Sequence, residues 1–316
     1  MHILVTGGCG YIGTNLTNRF LDEGYQVTVV DIMWFGNYLE NHENLTCIKA
    51  DIRDIDQVPM KGINAIIHLA NIANDPTGDL NPKLTWEVNV LASMLLIEKA
   101  IRNGVKQFIY ASSGSVYGVK DEPEVTEDLS LLPISDYNKT KMISERVLLS
   151  YKDKIDLQII RPATVCGYSP RMRLDLSVSM LTMQALTKGR LTVFGGNQTR
   201  PNIHMNDMIG VYLHFLELGD KATGIYNAGF ENITILELAN KIKKHIPTKV
   251  FVEESNDPRS YRQNSDKLVS TGFTPKYNIE EGIKDVINAY NTLGIKDKDK
   301  YYNIKEMQKI NILLTF

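Results

Sequence analysis

Tyr137 and Lys141, in the stretch YNKTK, stand four residues apart, a spacing that places two side chains one turn apart on a helix face. An ammonium beside a phenol, together with a positively charged cofactor ring, favours the phenolate and lowers it from its usual value of about 10. Such a pair could exchange a proton with a sugar or alcohol hydroxyl. Spacing alone decides nothing, because the chain has 15 tyrosines in 316 residues and YYNIK repeats the pair as Tyr301 and Lys305. A serine separates the two cases. Ser113 ends the strand-like QFIYASS 24 residues before Tyr137, whereas no strand-end serine precedes Tyr301 in its lysine-rich stretch. With Ser113 hydrogen-bonding the same substrate oxygen, the three residues suit alcohol–ketone chemistry in which hydride passes between a carbinol carbon and a cofactor.

A cofactor loop opens the chain. TGGCGYIG places Gly7, Gly10 and Gly13 between an apolar run, HILVTG, and a helix-like segment, NLTNRFLDEG, with Gly24 as its C-cap. Glycines there permit a tight turn and let backbone N–H groups approach a pyrophosphate, which the helix N-terminus also favours. The next strand, QVTVVD, ends in Asp31. A carboxylate at that place accepts both ribose hydroxyls of an adenosine and repels a 2′-phosphate, so NAD is expected over NADP. Asp51 and Ile52, after the third strand, are candidates for the adenine rim, with capping of the next segment as the plainer role for Asp51.

These residues need elements to hold them. LTCIKAD, AIIHLA and QFIYASS read as further strands, and residues 82–103 as a helix closed by Gly104. Strands alternating with helices predict parallel βαβ units in a doubly wound α/β Rossmann sheet. Residues 1–165 are expected to form the dinucleotide-binding part and 166–295 a smaller, interleaved α/β substrate region, with segments near 200–228 returning to the first part. Residues 296–316 read as a charged, solvated tail whose apolar end, INILLTF, suits a strand or an oligomer contact.

Composition narrows the class. A formal charge of -2 gives no reason to propose nucleic-acid or membrane-surface partners. Cys9, Cys47 and Cys166 are scattered and odd in number; they suggest neither a disulfide framework nor a zinc cluster, and fit a reducing compartment. No run of about 18 apolar residues appears and the N-terminal apolar run is short, so a cytoplasmic protein is expected.

Together these motifs resemble the extended short-chain dehydrogenase/reductases, in their NAD-dependent nucleotide-sugar epimerase/dehydratase branch. The resemblance runs in order through TGGCGYIG, Asp31, ADIRD (50–54), HLA (68–70), VNV (88–90), SSGSVYG, the segment 126–145 with YNKTK, and RPATVCG (161–167). Weaker likeness continues through FGGNQTRPNIHMNDM (194–208) and DPRSYRQNSDKL (257–268). It implies that Gly7, Gly10, Tyr11, Ile12, Gly13, Asp31, Asp51, Ile52, Leu69, Ala70 and Pro162 contact NAD, with Tyr137 and Lys141 reaching it also. It implies Ser113, Tyr137 and Lys141 as the catalytic set, and Ser113, Thr164, Arg200 and Arg259 as contacts to a nucleotide-diphosphate sugar. A homodimer is implied too.

Departures from the family pattern refine the expectation. Dehydratase members carry two acidic residues after the position of Ser113, whereas this chain has Gly114 and Ser115, which disfavours a 4,6-dehydratase. A 4-epimerase acting by transient oxidation at C4 is the first reading. A net C4 dehydrogenase or reductase is the alternative, since SPRMRLDL resembles a subgroup that includes a GDP-linked heptose dehydrogenase. Its Arg171 and Arg173 could meet diphosphate or acidic sugar groups, or pair with Asp175. A dinucleotide-sensing regulator without chemistry would have no need of Ser113, Tyr137 and Lys141 together. Asn71, Thr164 and Cys166 replace more usual family residues, and Cys166 is expected to be a packed residue.

Overall fold

The computed structural model describes residues 1–254 and 260–314, with side chains to residue 310. Its strands in chain order are β1 (His2–Thr6), β2 (Gln26–Asp31), β3 (Leu45–Lys49), β4 (Ala65–His68), β5 (Gln107–Ala111), β6 (Asp156–Pro162), β7 (Thr164–Cys166), β8 (Arg190–Phe194), β9 (Thr199–His204), β10 (Gly224–Ala228), β11 (Glu231–Thr234) and β12 (Lys249–Glu253). Seven of them form one sheet in the order β10-β6-β5-β4-β1-β2-β3, every neighbouring pair being parallel. The order reverses between β1 and β4, and that switch point is where an open α/β sheet leaves a crevice for a ligand.

Side-chain alternation explains the two layers. Ile3, Val5, Val27, Val29, Ile67 and Ile109 point to one face and join one apolar core. Leu4, Val30, Ile66, Phe108, Tyr110, Leu157 and Ile159 point to the other and join a second core. A strand buried on both faces reads as a near-continuous apolar run, which these segments supply apart from hydrogen-bonded polar positions such as Thr28 and Gln107.

The helices are α1 (Tyr11–Asp22), α2 (Asp75–Gly78), α3 (Pro82–Trp86), α4 (Ala92–Arg102), α5 (Asp136–Leu149), α6 (Ser177–Lys188), α7 (Met205–Leu218), α8 (Ile235–His245), α9 (Asp266–Val269), α10 (Ile279–Asn291) and α11 (Asn303–Leu314). Helices α1 and α7 cover the first face through Leu16, Phe20, Met208 and Phe215, and α4 and α5 cover the second through Leu96, Ile97 and Leu148. The expected helix over 82–103 is present, but a π-helical turn at Glu87–Leu91 joins α3 to α4. Beyond β6 a third, smaller core packs α6, α8 and α10 around Leu191, Val193 and Ile233. Two small sheets, β11-β9-β7 and β12-β8, frame it.

The C-terminal segment differs from its expected solvated form. Tyr301, Asn303 and Met307 are buried, Met307 enters the second core, and Ile310 to Leu314 continue α11 as helix instead of forming a strand. Lysines 296, 298 and 300 dominate the local composition, yet Asn303, Met307 and Ile310 recur at helical spacing and give the segment an inward stripe.

Candidate active site

The C-terminal ends of β1, β2, β4, β5 and β6 surround a cleft of about 370 Å³, within the usual range for small-molecule sites. Its outer end is built by the glycine loop. Gly7 turns at φ +75°, and a Cβ there would stand 2.6 Å from the Ala70 backbone nitrogen; a Cβ on Gly13 would stand 2.2 Å from the Gly7 carbonyl oxygen. A Cβ on Gly10 would meet within contact range only the Gly7 oxygen, at 3.2 Å, and Gly10 lines the cleft, so the missing side chain leaves room for a ligand. Gly10 also begins α1 without a side-chain cap, leaving first-turn N–H groups free to meet an anion.

Asp31 closes this end. Its Oδ2 accepts from Cys9 N at 2.9 Å and its Oδ1 from Met33 N at 2.7 Å. Burial pushes the carboxyl up from its ordinary value, while both N–H groups and the Arg171 charge pull the other way. Each carboxylate oxygen keeps acceptor capacity for a hydroxyl. A dinucleotide therefore fits these residues: uncapped N–H groups for the pyrophosphate, side-chain-free space at Gly10 and a fixed acid for the ribose. Asp51 and Ile52 line the same end. Asp51 also takes the capping role, accepting from Arg53 N at 2.9 Å and pairing with the Arg53 guanidinium at 2.7 Å.

The inner end carries Ser113, Tyr137 and Lys141, all lining the cleft. Ser135 N-caps α5 by accepting from Asn138 N at 3.1 Å, while its Oγ donates to Asp75 Oδ1 at 2.6 Å. This fixes the start of the helix that carries Tyr137. Ser113 extends beyond β5, and its Oγ lies 2.7 Å from Ser115 Oγ. Lys141 Nζ donates to the Ala111 carbonyl at 2.7 Å and lies 6.0 Å from the Tyr137 ring centroid. Burial lowers the lysine to about 7, with Glu145 opposing.

The expected depression of the Tyr137 phenol is not seen in the chain itself. Burial pushes it up to about 12, Ser113 and Arg173 oppose that rise, and Asp75 reinforces it. The lysine hydrogen-bonds a backbone carbonyl instead of the phenol, so its charge does not offset desolvation.

Other expected residues are distributed as follows. Gly7, Tyr11, Ile12, Leu69, Ala70, Pro162 and Thr164 line the cleft, and the Tyr11 hydroxyl donates to the Gly167 carbonyl at 2.7 Å. Arg171 and Arg173 also line it, each with a partner of its own. Arg171 stacks 4.2 Å from the Phe35 ring centroid and donates to Asn303 Oδ1 at 2.5 Å, near Asp31 and so at the outer end. Arg173 donates from Nε to Asp175 Oδ1 at 2.9 Å. Arg200 sits on β9 opposite Ile233 and is not among the described residues that line the cleft. Arg259 lies outside the described residues. Cys166 is fully buried, and burial pushes its thiol up to about 12.

Sequence reasoning missed Phe35, Asp75, Tyr261 and Asn303, which also line the cleft. Asn303 comes from the segment expected to be solvated. Its backbone N–H donates to Asp175 Oδ2 at 3.1 Å, so Asp175 holds both Arg173 and the C-terminal segment. Positions 114 and 115 bring no carboxylate to the inner end; Ser115 Oγ donates to Asn138 Oδ1 at 2.5 Å.

Comparison with known proteins gives the family and the fold. The profile described as the NAD dependent epimerase/dehydratase family matches residues 3–229. A UDP-glucose 4-epimerase of Lactobacillus helveticus is 27% identical over 317 residues, covering 91% of this chain and 95% of that protein. UDP-glucuronic acid decarboxylase 1 of Danio rerio is 27% identical over 306 residues, covering 91% and 72%. Among solved structures, UDP-glucuronic acid 4-epimerase from Bacillus cereus, in complex with UDP-glucuronic acid and NAD, superposes with a TM-score of 0.81 at 26% identity, covering 93% of this chain and 100% of that one.

Proposed function

We propose that this chain, which belongs to the NAD-dependent epimerase/dehydratase family, is a 4-epimerase of a nucleotide-diphosphate sugar that works by transient oxidation at C4. The observation that carries the reading is the combination at the inner end of the cleft: Ser113, Tyr137 and Lys141 are present together, and residues 114 and 115 offer no acid or base for dehydration. NAD, when bound, supplies two-electron redox chemistry at C4 and a positive charge beside the phenol.

The chain's own residues handle the proton and the geometry. Ser113 Oγ holds the C4 oxygen. Tyr137 takes the hydroxyl proton during oxidation and returns it to the ketone oxygen during reduction. Lys141, titrating near neutrality, lies one turn along the same helix and can compensate charge as the phenol changes state. Loss of the proton from Tyr137 needs more positive charge than the chain alone provides, because burial holds the phenol at about 12. Oxidation is thereby tied to an occupied cofactor site.

The test uses the purified protein with a panel of UDP-, GDP- and dTDP-linked sugars and no added NAD. Catalytic conversion of one sugar to its C4 epimer is expected. Tyr137→Phe should lower that rate by about a hundredfold or more while NAD still binds. Stoichiometric NADH with release of a keto sugar would instead assign a net C4 dehydrogenase, and full activity in the variant would remove Tyr137 from its role.

A further inference from the structure

Two of the three cysteines, 38 residues apart in the chain, meet in space behind the cofactor loop. Cys9 belongs to TGGCGYIG and Cys47 to β3. The contact follows from the backbone: a Cβ at Gly8 would lie 2.7 Å from Val29, and Val29 is the register partner of Cys47. The two sulfurs flank the same Asn37 side chain. One amide bridges both, since Cys9 Sγ donates to Asn37 Oδ1 at 3.5 Å and Asn37 Nδ2 donates to Cys47 Sγ at 3.7 Å. Cys9 is 2% exposed, whereas Cys47 is part-exposed on β3, the last strand of the sheet.

We propose that Cys9 and Cys47 are a redox site, forming a reversible disulfide that lowers the affinity of the cleft for dinucleotide. The two thiols differ in the way such a pair requires. Asn37 Nδ2 donates to the part-exposed Cys47 sulfur, which favours its thiolate, so the reachable sulfur meets the oxidant and buried Cys9 resolves it. With hydrogen peroxide as oxidant, the Cys47 thiolate attacks one peroxide oxygen, the O–O bond breaks, and hydroxide leaves to form water with a proton. The Cys9 sulfur then attacks the resulting sulfenic acid, the S–O bond breaks, and a second water departs. Two thiols and one peroxide give one disulfide and two waters.

The consequence for binding follows from what Cys9 holds. A disulfide brings the sulfurs to about 2.05 Å, well inside the spacing of two sulfurs that share one bridging amide. The glycine loop cannot yield freely, because Gly8 is packed on Val29 and Gly13 on the Gly7 carbonyl. Drawing Cys9 toward β3 therefore strains its N–H bond to Asp31 Oδ2, 2.9 Å in the reduced form, and re-aims the acid that faces the ribose. This inference does not depend on which sugar carbon is oxidised.

The experiment strips bound dinucleotide from the purified protein, treats it with hydrogen peroxide, maps disulfides by non-reducing peptide mass spectrometry, and measures NAD binding by calorimetry before and after. A Cys9–Cys47 linked peptide is expected, with NAD affinity lower by roughly ten- to hundredfold, the scale of one hydrogen bond to a charged group. Dithiothreitol should restore the affinity. Cys47→Ser and Cys47→Ala, two replacements on a part-exposed strand, should each keep full affinity under oxidant. Absence of the linked peptide, or a linked protein with unchanged NAD affinity, overturns the proposal.

Discussion

Lys141 carries an ammonium group into a fully buried position, where it meets the Ala111 carbonyl and, 4.8 Å away, the Tyr110 ring. Burial lowers its pKa from 10.5 to about 7. The unfolded chain therefore holds that proton more tightly than the folded chain between about pH 7 and pH 10.5, and stability rises with pH across this window. The gap corresponds to roughly 4–5 kcal/mol, partly offset by the bond to Ala111. Lys141→Met should consequently abolish turnover yet raise stability by about 2 kcal/mol at pH 7, the scale seen when buried charge is replaced by apolar volume. Denaturant unfolding of dinucleotide-stripped protein at pH 7 and pH 10 measures this, and the variant's advantage should shrink toward zero at the higher pH. A variant less stable than the parent at pH 7 would show that the ammonium is better compensated than its surroundings indicate.

Among elements, the π-helical turn Glu87–Leu91 does the most to set the site. It presents Asn89, whose Oδ1 accepts from Ile72 N at 2.8 Å and whose Nδ2 donates to Ile72 O at 3.2 Å and to Thr140 Oγ1 at 3.0 Å. The Asn89 carbonyl accepts from Ser93 and from Ser144 of α5. One side chain thus joins the loop after β4 to the helix that bears Tyr137. Replacing Asn89 by Leu keeps the volume but leaves the buried Ile72 N–H and C=O unpaired, at a cost of about 3 kcal/mol. Ser135→Ala, which removes the cap of α5 and the hydroxyl's part-buried bond to Asp75, should cost about 1–2 kcal/mol. Urea unfolding of the two variants should give that order, and a smaller loss for Asn89→Leu would contradict its bridging role. VNV was visible in the sequence as part of a pattern. Its task was not, because the partners of Asn89 lie 17 and 51 residues away and no local periodicity links them.

At the scale of the whole molecule, the legible and illegible residues separate by how they are placed. Gly7, Asp31, Ser113 and Tyr137 could be read because each sits at a strand end or helix start that fixes its position locally. Phe35, Tyr261 and Asn303 reach the cleft only through tertiary packing. Asn303 arrives from near the end of the chain and supplies a side-chain acceptor for buried Arg171, beside the Met172 carbonyl. Asn303→Ala should leave that guanidinium short of an acceptor and weaken NAD binding by roughly tenfold, as calorimetry would record; unchanged affinity would make the docked segment irrelevant to the cofactor end.

The seventh strand of the main sheet, β10, comes from residues 224–228, long after β6. Its Asn227 accepts from the Tyr117 hydroxyl at 2.8 Å and donates to the Val125 and Asn264 carbonyls at 3.0 and 2.9 Å. The loops that carry Val125 and Asn264 are thus stitched into the parallel sheet at an internal seam. A chimera that borrows substrate preference from a relative cannot be made with a single crossover point after β6. It needs two separate inserts, with the recipient's own β10 retained between them.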